Sequence, residues 1–270
     1  MIRINEELCI GCGQCEKDCF SKCIRVVDGK AHFQRPEGCI LCGHCVALCP
    51  KAAVDLVEEN YLPPQMPFTE KASPEALMSL IYTRRSIRKF QDRPISKDVW
   101  EKLLEAGRYT PTGGNRQGVS YIIVQEELDA FKKLAWEGLE RLADQVLANQ
   151  DAYGPNQRFY APTWKRFCER HRQHPEKDFL FFNAPALLVV EADTLSDAAP
   201  AASDLDLMAH ALGLGTLTSG FIQEILRSDQ AAADFLQLRH RNSCVCNLVG
   251  YPGVRFQRVP PRKRADVQWR

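Results

Sequence analysis

Two short stretches, CIGCGQCEKDC at residues 9–19 and CILCGHCVALCP at residues 39–50, decide how the first part of this chain folds. Each stretch repeats one spacing, C-x2-C-x2-C-x3-C, and together they contain eight of the 12 cysteines in the chain. With this spacing a short loop can wrap three thiolates around one iron–sulfur cube, while the fourth cysteine reaches a second cube. The repeat therefore predicts two [4Fe–4S] clusters and a role in electron transfer.

Zinc is the alternative metal for such a pattern, because paired CxxC motifs also form tetrahedral zinc sites. A zinc site requires neither four cysteines in each run, nor a doubled run, nor the proline that follows Cys49. Iron–sulfur clusters are therefore the favoured interpretation. The four remaining cysteines, Cys23, Cys168, Cys244 and Cys246, are expected to pack in the core and not to bind metal.

The composition argues against several classes of partner. With 270 residues and a formal net charge of +1, the chain has no excess of basic residues that would favour nucleic acid or an anionic membrane surface. The longest apolar stretch, residues 179–190, is interrupted by Asn183 and Pro185 and is too short to span a bilayer. Cysteines clustered at metal spacing, and not scattered as in a secreted disulfide scaffold, favour a reducing compartment. We therefore expect a cytoplasmic protein that binds neither nucleic acid nor membrane.

The sequence pattern changes after residue 60. Residues 1–60 form a repeated unit in which segments 23–27 and 52–57 follow the two cysteine runs as short strands. Residues 61–73 begin with YLPPQMP and are predicted to be an extended linker. In residues 74–270, longer helices alternate with short apolar strands, so the predicted fold class is α+β. Helices are expected to start near Ser73, Ser96 and Ser203, and strands are expected at residues 119–124, 185–191 and 243–250.

Three features of the larger domain predict a phosphate-bearing ligand. In the segment TRRSIRKF, residues 83–90, three arginines surround a serine, and guanidinium groups with a hydroxyl suit a terminal phosphate. A second basic group lies at residues 262–264, and the loop PTGGNRQ lies at residues 111–117. The loop glycines allow the backbone to approach a planar ligand, and its amide side chains offer donors and acceptors. Taken singly, each basic run can also be a solvated surface and the loop an ordinary turn.

Residues 1–60 resemble a bacterial two-[4Fe–4S] ferredoxin over their whole length. In such ferredoxins the fourth cysteine of each run ligates the other cluster. The resemblance therefore implies one cluster held by Cys9, Cys12, Cys15 and Cys49, and a second cluster held by Cys39, Cys42, Cys45 and Cys19. Phe20 stands where a proline commonly follows the first run, a change that removes no ligand.

Residues 74–270 resemble the nitroreductase family of FMN enzymes, because the three features occur together in the order typical of that family. The resemblance implies an α/β sandwich that forms an intertwined homodimer with two FMN sites at its interface. In the family, the RRSxR segment and a C-terminal basic pair hold the FMN phosphate, a PSxxNxQ loop reaches the flavin from the partner subunit, and the stretch matching residues 213–221 runs beneath the flavin ring. The implied FMN contacts are Arg84, Arg85, Ser86, Arg88, Thr112, Asn115, Gln117, Leu217, Thr218, Ser219, Gly220, Arg262 and Arg264.

Three positions depart from the family pattern. Thr112 replaces the usual serine, Gly118 replaces the usual proline, and Ser219 stands where some relatives have glutamate. No side chain is expected to act as a catalytic group, because the flavin carries the redox chemistry.

The combination of the two parts predicts an iron–sulfur flavoprotein oxidoreductase. Each cluster carries one electron, whereas a flavin handles one or two. We expect reduced ferredoxin, or another low-potential donor, to supply electrons for the two-electron reduction of a nitroarene, quinone or activated alkene. Two alternatives stay open: an electron-transfer or redox-sensing flavoprotein that serves protein partners, and an enzyme of the same fold with different chemistry, such as dehalogenation.

Substrate choice is expected to depend on residues 129–182, because aromatic rings beside a flavin favour flat acceptors. The alternative is that these rings pack only between helices. The candidate aromatic residues are Phe131, Trp136, Tyr153, Phe159, Tyr160, Trp164 and Phe167.

Overall fold

The computed structural model describes residues 1–64 and 71–270, so the predicted linker at residues 61–73 lies partly outside the described residues. The chain divides into two compact units. The first unit comprises Met1–Thr69 and Thr112–Gln117, and the second comprises Glu70–Pro111 and Gly118–Arg270. The loop at residues 112–117 therefore groups with the first unit, whereas the sequence assigned it to a domain at residues 74–270.

The first unit contains two small antiparallel sheets and two short helices that lie within the cysteine runs. Its elements are β1 Ile2–Ile4, α1 Gln14–Asp18, β2 Ile24–Val27, β3 Lys30–Phe33, α2 His44–Leu48 and β4 Val54–Leu56. Strand β1 pairs with β4, and β2 pairs with β3. The strands predicted at residues 23–27 and 52–57 correspond to β2 and β4.

The apolar core of the first unit is small. It consists of Cys15, Ile24 and Ala31, with partly buried neighbours that include Ile4 and Phe33. So little buried apolar surface stabilises a domain of this size only weakly. Ligation of metal clusters adds folding free energy in small domains of this kind.

The second unit is built on one four-stranded antiparallel sheet. Its elements are α3 Pro74–Thr83, α4 Lys97–Arg108, β5 Ser120–Val124, α5 Leu128–Ala148, α6 Pro155–Gln173, β6 Ala186–Glu191, α7 Leu195–Ala211, β7 Gly215–Thr218, α8 Gly220–Ser228, α9 Gln230–Phe235 and β8 Cys244–Gly250. The strand order is β5-β6-β8-β7. In the central pair, Ala186 of β6 lies opposite Val249 of β8, and Glu191 lies opposite Cys244.

A separate apolar core lies on each face of this sheet. On one face, Leu187 and Val189 of β6 pack with residues of α5, α6, α8 and α9. On the other face, Leu188 and Val190 pack with residues of α4 and α7. Successive side chains of a strand point to opposite faces, so β6 is buried at every position between two helical layers. The layered α+β class predicted from the sequence is confirmed.

Two of the three predicted helix starts are confirmed, and the third is wrong. Helix α3 follows Ser73, whose hydroxyl caps it, and α4 follows Ser96. Helix α7 begins at Leu195 and not near Ser203. Its early part contains Pro200, which is exposed and therefore removes one backbone hydrogen bond without disturbing the buried face of the helix. In the described part of the chain, no helix combines the length and apolar character needed to cross a membrane.

The four cysteines outside the two runs are buried, as expected. Cys168, Cys244 and Cys246 belong to the core on the α5 face of the sheet. Burial raises the pKa of the Cys168 thiol to about 12, which keeps it protonated at neutral pH. Cys23 is buried in the first unit, beside the cysteine runs.

Candidate functional site

The eight cysteines of the two runs line two separate cavities in the first unit. The first cavity is lined by Cys9, Cys12, Cys15 and Cys49. From the runs, the second cavity is lined by Cys19, Cys39, Cys42 and Cys45, and Cys23, which lies outside the runs, lines it as well. Among residues 1–64 and 71–270, no three His, Cys, Asp or Glu side chains gather at a point suited to a single metal ion. Each cavity instead receives three cysteines from one run and one from the other, which is the arrangement that the ferredoxin resemblance implies.

Backbone N–H groups donate to the sulfur atoms of both fourth cysteines. The Cys23 N–H donates to Cys19 Sγ, and the Ala53 N–H donates to Cys49 Sγ, both at 3.2 Å. In each half of the repeat the donor lies four residues after the cysteine, so the two bonds are equivalent. Such bonds orient cluster ligands and tune cluster potentials.

Burial and hydrogen bonding affect the protonation of the cluster thiols in opposite directions. Hydrogen bonds from the N–H groups of Ala31 and Gly11 hold the pKa of the Cys9 thiol below its usual range. Burial raises the pKa of Cys15, and it raises the pKa of Cys45 to about 11. A bound metal centre deprotonates its thiol ligands, so sets of four cysteines of this kind fit a metal cluster.

The second unit contains a cavity of about 540 Å³ at the junction between β7 and α8. Arg88 and the consecutive residues Leu217–Gly220 line it, and all of them belong to the set that the nitroreductase resemblance assigns to FMN. The other lining residues are Asn156, Gln157, Tyr160, Trp164, Phe167, Phe179, Leu180, Phe182, Phe221 and Glu224.

The basic segment at residues 83–90 is held against the sheet by its backbone. The Ile87 N–H donates to the Thr216 carbonyl oxygen at 2.8 Å. This close approach requires glycine at position 215, because a Cβ there would lie 2.3 Å from Ile87 Cγ1. The segment therefore presents Arg88 to the cavity from a fixed backbone.

The other basic residues of the predicted FMN set lie in different surroundings. Arg84 Nε lies 3.2 Å from Asp206 Oδ2, so a carboxylate of α7 already balances its charge. Arg85 donates to the carbonyl oxygen of Arg84. Arg262 and Arg264 are exposed, in chain without regular secondary structure.

Residues 84–88 differ in whether they line the cavity. Ser86 forms a parallel bridge with Thr216 and is not among the lining residues of the cavity. Arg88 is exposed and lines the cavity. Of the predicted phosphate contacts, Arg88 is the one that shares a cavity with the predicted flavin-ring contacts.

Asn115 makes hydrogen bonds to the second cysteine run. Its Nδ2 donates to the carbonyl oxygens of Ile40 and Leu41, both at 3.0 Å. All three residues belong to the first unit. The side-chain amide of Asn115, which the family resemblance assigns to flavin, is therefore hydrogen-bonded to the loop of the second cysteine run.

Gln117 and Thr112 also make hydrogen bonds within the first unit. Gln117 Nε2 donates to Tyr61 Oη at 3.0 Å, and the Gln117 N–H donates to Thr112 Oγ1 at 2.9 Å. The contact of these two side chains with a flavin stays a prediction.

Apart from Phe159, the aromatic residues of the segment at residues 129–182 lie in the cavity wall, in the core or in both, because Trp164 of the cavity lining is also part of the core and Phe167 packs against it. The two interpretations therefore overlap. The cavity is lined by Tyr160, Trp164 and Phe167. The apolar core contains Phe131 and Trp136, and Tyr153 packs against it. Phe159 is 74% exposed.

Sequence reasoning missed a polar pair in the cavity wall. Gln157 Nε2 donates to Glu224 Oε2 at 2.9 Å, and Arg227 Nη1 donates to Glu224 Oε1 at 3.0 Å. Gln157 Oε1 also accepts the Gly154 N–H at 3.2 Å, as in a helix cap. The helix start at GPNQ is readable in the sequence, but nothing local connects it with Glu224.

Two family profiles match this chain, one for each part. The nitroreductase family matches residues 81–251, and a 4Fe-4S dicluster domain matches residues 1–56. The first match covers more than half of the chain.

Curated relatives match short parts of the chain. A putative NADH dehydrogenase/NAD(P)H nitroreductase of Archaeoglobus fulgidus is 41% identical over 61 residues, which are 23% of this chain and 34% of that protein. One component of an ion-translocating oxidoreductase complex of Methanosarcina acetivorans is 48% identical over 48 residues, which are 18% of each protein. This chain thus spans only 18% and 34% of the lengths of these two relatives.

Solved structures share the fold of the larger part. A nitroreductase with bound FMN from Bacteroides fragilis NCTC 9343 is 21% identical and has a TM-score of 0.51, with 71% of this chain and 98% of that chain covered. A nitroreductase with bound FMN from Desulfitobacterium hafniense DCB-2 is 22% identical and has a TM-score of 0.50, with 71% and 97% covered. At this identity the two structures show the fold alone.

These family matches confirm the predicted fusion of a 4Fe-4S dicluster domain with a nitroreductase domain. The chain belongs to the nitroreductase family and carries a 4Fe-4S dicluster domain ahead of the nitroreductase domain.

Proposed function

We propose that this protein is an oxidoreductase with two [4Fe–4S] clusters and FMN as its redox groups. Reduced ferredoxin, or another low-potential donor, supplies single electrons. The enzyme uses two electrons to reduce a nitroarene, quinone or activated alkene. The observation that carries the proposal is the cavity of the second unit. There, Arg88 and Leu217–Gly220 share one lining with a wall of aromatic side chains.

The two cysteine cavities of the first unit are the proposed cluster sites. Cys9, Cys12, Cys15 and Cys49 would ligate the first cluster, and Cys19, Cys39, Cys42 and Cys45 the second. Thiolate sulfur is the usual ligand of iron–sulfur clusters, and the N–H groups that donate to Cys19 Sγ and Cys49 Sγ orient these two side chains.

The cavity of the second unit offers groups that fit FMN. Arg88 brings a guanidinium to its lining, and helix α8 begins at Gly220 in the same lining. Ser219 Oγ accepts the Ile222 N–H at 3.3 Å, which caps the helix, and the other N–H groups of the first turn favour an anionic group nearby. Leu217 is buried and provides an apolar surface for a ring system.

When bound, FMN supplies the one-electron and two-electron chemistry that side chains lack. The residues of the chain bind and orient the cofactor and the acceptor, and they exclude water. Phe221 receives Tyr160 and Trp164 edge to face, at centroid distances of 5.2 and 5.7 Å. Interlocked rings of this kind form a rigid apolar wall, and a rigid wall favours flat acceptors.

An electron-transfer or redox-sensing flavoprotein would bind FMN in this same cavity, so turnover separates it from the enzyme: the enzyme reduces small acceptors, and the electron-transfer protein reduces none. The cavity of about 540 Å³ falls within the range of roughly 300–1,000 Å³ that is usual for small-molecule sites. The homodimer and the cytoplasmic location remain predictions from the sequence.

Replacing Cys19 by alanine should remove the second cluster, although Cys19 belongs to the first run. We expect the iron content to fall from about eight to about four atoms per chain, because each cubane holds four irons. The EPR spectrum of the reduced variant should match that of Cys42→Ala, and the spectrum of Cys49→Ala should match that of Cys12→Ala. A Cys19→Ala spectrum that matches Cys12→Ala would contradict the exchange of cysteines between the runs.

Replacing Arg88 by alanine should weaken FMN binding by about 10- to 100-fold, since one charge-assisted hydrogen bond is lost. Fluorescence of flavin released on dilution measures the dissociation constant. Arg166→Ala is the control, because Arg166 is an exposed arginine of α6. If the Arg88 and Arg166 variants retained FMN equally well, Arg88 would not be a phosphate contact.

Anaerobic mixing of the oxidised protein with reduced ferredoxin should bleach its flavin absorbance faster than mixing with NADPH. The Cys42→Ala variant should keep its FMN and lose most of the ferredoxin-driven turnover. A panel of nitroarenes, quinones, activated alkenes and halophenols then tests the acceptor class. Unchanged ferredoxin-driven rates in Cys42→Ala would exclude the second cluster as the route by which electrons enter. If halophenols were the only acceptors reduced, the reaction would be dehalogenation and not the one proposed.

Replacing Tyr160 by alanine should raise KM for flat acceptors by about 3- to 10-fold, because an aromatic contact of the cavity wall is removed. Tyr82→Ala is the control, since Tyr82 is 53% exposed in α3 and does not line the cavity. Steady-state kinetics with one quinone and one nitroarene measure both variants. Equal changes in KM for the two variants would show that acceptors do not bind in this cavity.

A further inference from the structure

The two cysteine runs differ at the residue that precedes their second cysteine. In the first run this residue is Gly11, and in the second it is Leu41. Both have a left-handed backbone, with φ of 65° at Gly11 and 52° at Leu41. The shared spacing therefore imposes the same turn on both loops.

Glycine adopts this conformation without steric strain, but leucine does not. At Gly11 a side chain is also excluded by space, because a Cβ would lie 2.2 Å from the Gly29 carbonyl oxygen. The second loop tolerates a side chain, yet its backbone at Leu41 is strained. A residue held in this region persists only when its surroundings fix it.

Asn115 provides such a restraint on the second loop. Its Nδ2 donates to the carbonyl oxygens on both sides of the Leu41 Cα, those of Ile40 and Leu41, at 3.0 Å each. Because a peptide group is planar, fixing these two oxygens also fixes the direction of the N–H groups of Leu41 and Cys42. In the first loop, the equivalent Gly11 N–H donates to the Cys9 thiol.

We propose that Asn115 is a positioning residue for the second [4Fe–4S] cluster. Its side-chain amide holds Leu41 in the left-handed conformation that the cluster loop requires, and so keeps Cys39 and Cys42 in place to ligate iron. The first loop needs no such restraint, because glycine occupies the equivalent position. The inference rests on the proposed cluster site of Cys19, Cys39, Cys42 and Cys45.

The test compares four anaerobically purified full-length variants, with Cys42→Ala as a reference, against the wild type. Iron and FMN content per chain, the EPR spectrum and the rate of iron release to a chelator are measured. Asn115→Ala should lose about half of its iron, or release half of it about tenfold faster. Its residual EPR spectrum should match that of Cys42→Ala. Leu41→Gly should keep the full iron content, and so should Gln117→Ala, which alters the same loop.

The decisive variant is the double replacement Asn115→Ala with Leu41→Gly. Glycine relieves the strain that Asn115 otherwise restrains, so the iron content and release rate should return to wild-type values. Full iron with normal release in Asn115→Ala, or a loss that Leu41→Gly does not rescue, would overturn the inference. Loss of FMN with all iron retained would also overturn it, by making Asn115 a flavin contact only. Failure of the proposed function would instead appear in the wild type, as absent iron.

Discussion

The exchange of one cysteine between two loops is the constraint on which the first unit depends. Helices α1 and α2 are five residues long, far too short to be stable alone. Each ends at the fourth cysteine of its run, Cys19 or Cys49, where the backbone becomes extended. The helix thus sets the distance between the third and fourth thiols and directs the fourth to the other cavity. Because the apolar core is so small, the strands and turns of this unit depend on these two crossings more than on side-chain packing.

The second unit follows a different rule, since the cavity proposed for FMN depends on packing. Strand β6 is buried on both faces, and β8 and then β7 follow it at one side of the sheet. The turn from β7 into α8 brings Leu217–Gly220 into the cavity wall, and the Ile87 backbone bond to Thr216 brings Arg88 there. Ionic pairing then distinguishes the arginines, because Asp206 of α7 engages Arg84 while Arg88 faces the cavity.

Local patterns were enough to predict much of this structure. Cysteine spacing, a serine cap before α3 and alternating apolar strands each act within a few residues, and the sequence therefore specifies them directly. The start of α7 was misplaced because Pro200 is tolerated on an exposed helical face, a fact that depends on tertiary context. The Gln157–Glu224 pair joins residues 67 positions apart, and no periodicity relates them. The same reason prevented the sequence from showing which of the arginines at positions 84, 85 and 88 reaches the cavity.

The second cysteine run shows how a distant contact can relax a local requirement. Considered alone, the cluster loop calls for glycine before the second cysteine, and Gly11 satisfies this requirement. Leu41 violates it, and the compensation comes from Asn115, 74 residues further along the chain. A loop that the family resemblance assigns to flavin thereby supports the geometry of an iron–sulfur site. Asn115 lies in the same compact unit as the run that it supports, so a residue distant in sequence performs for the second loop the conformational task that glycine performs locally in the first.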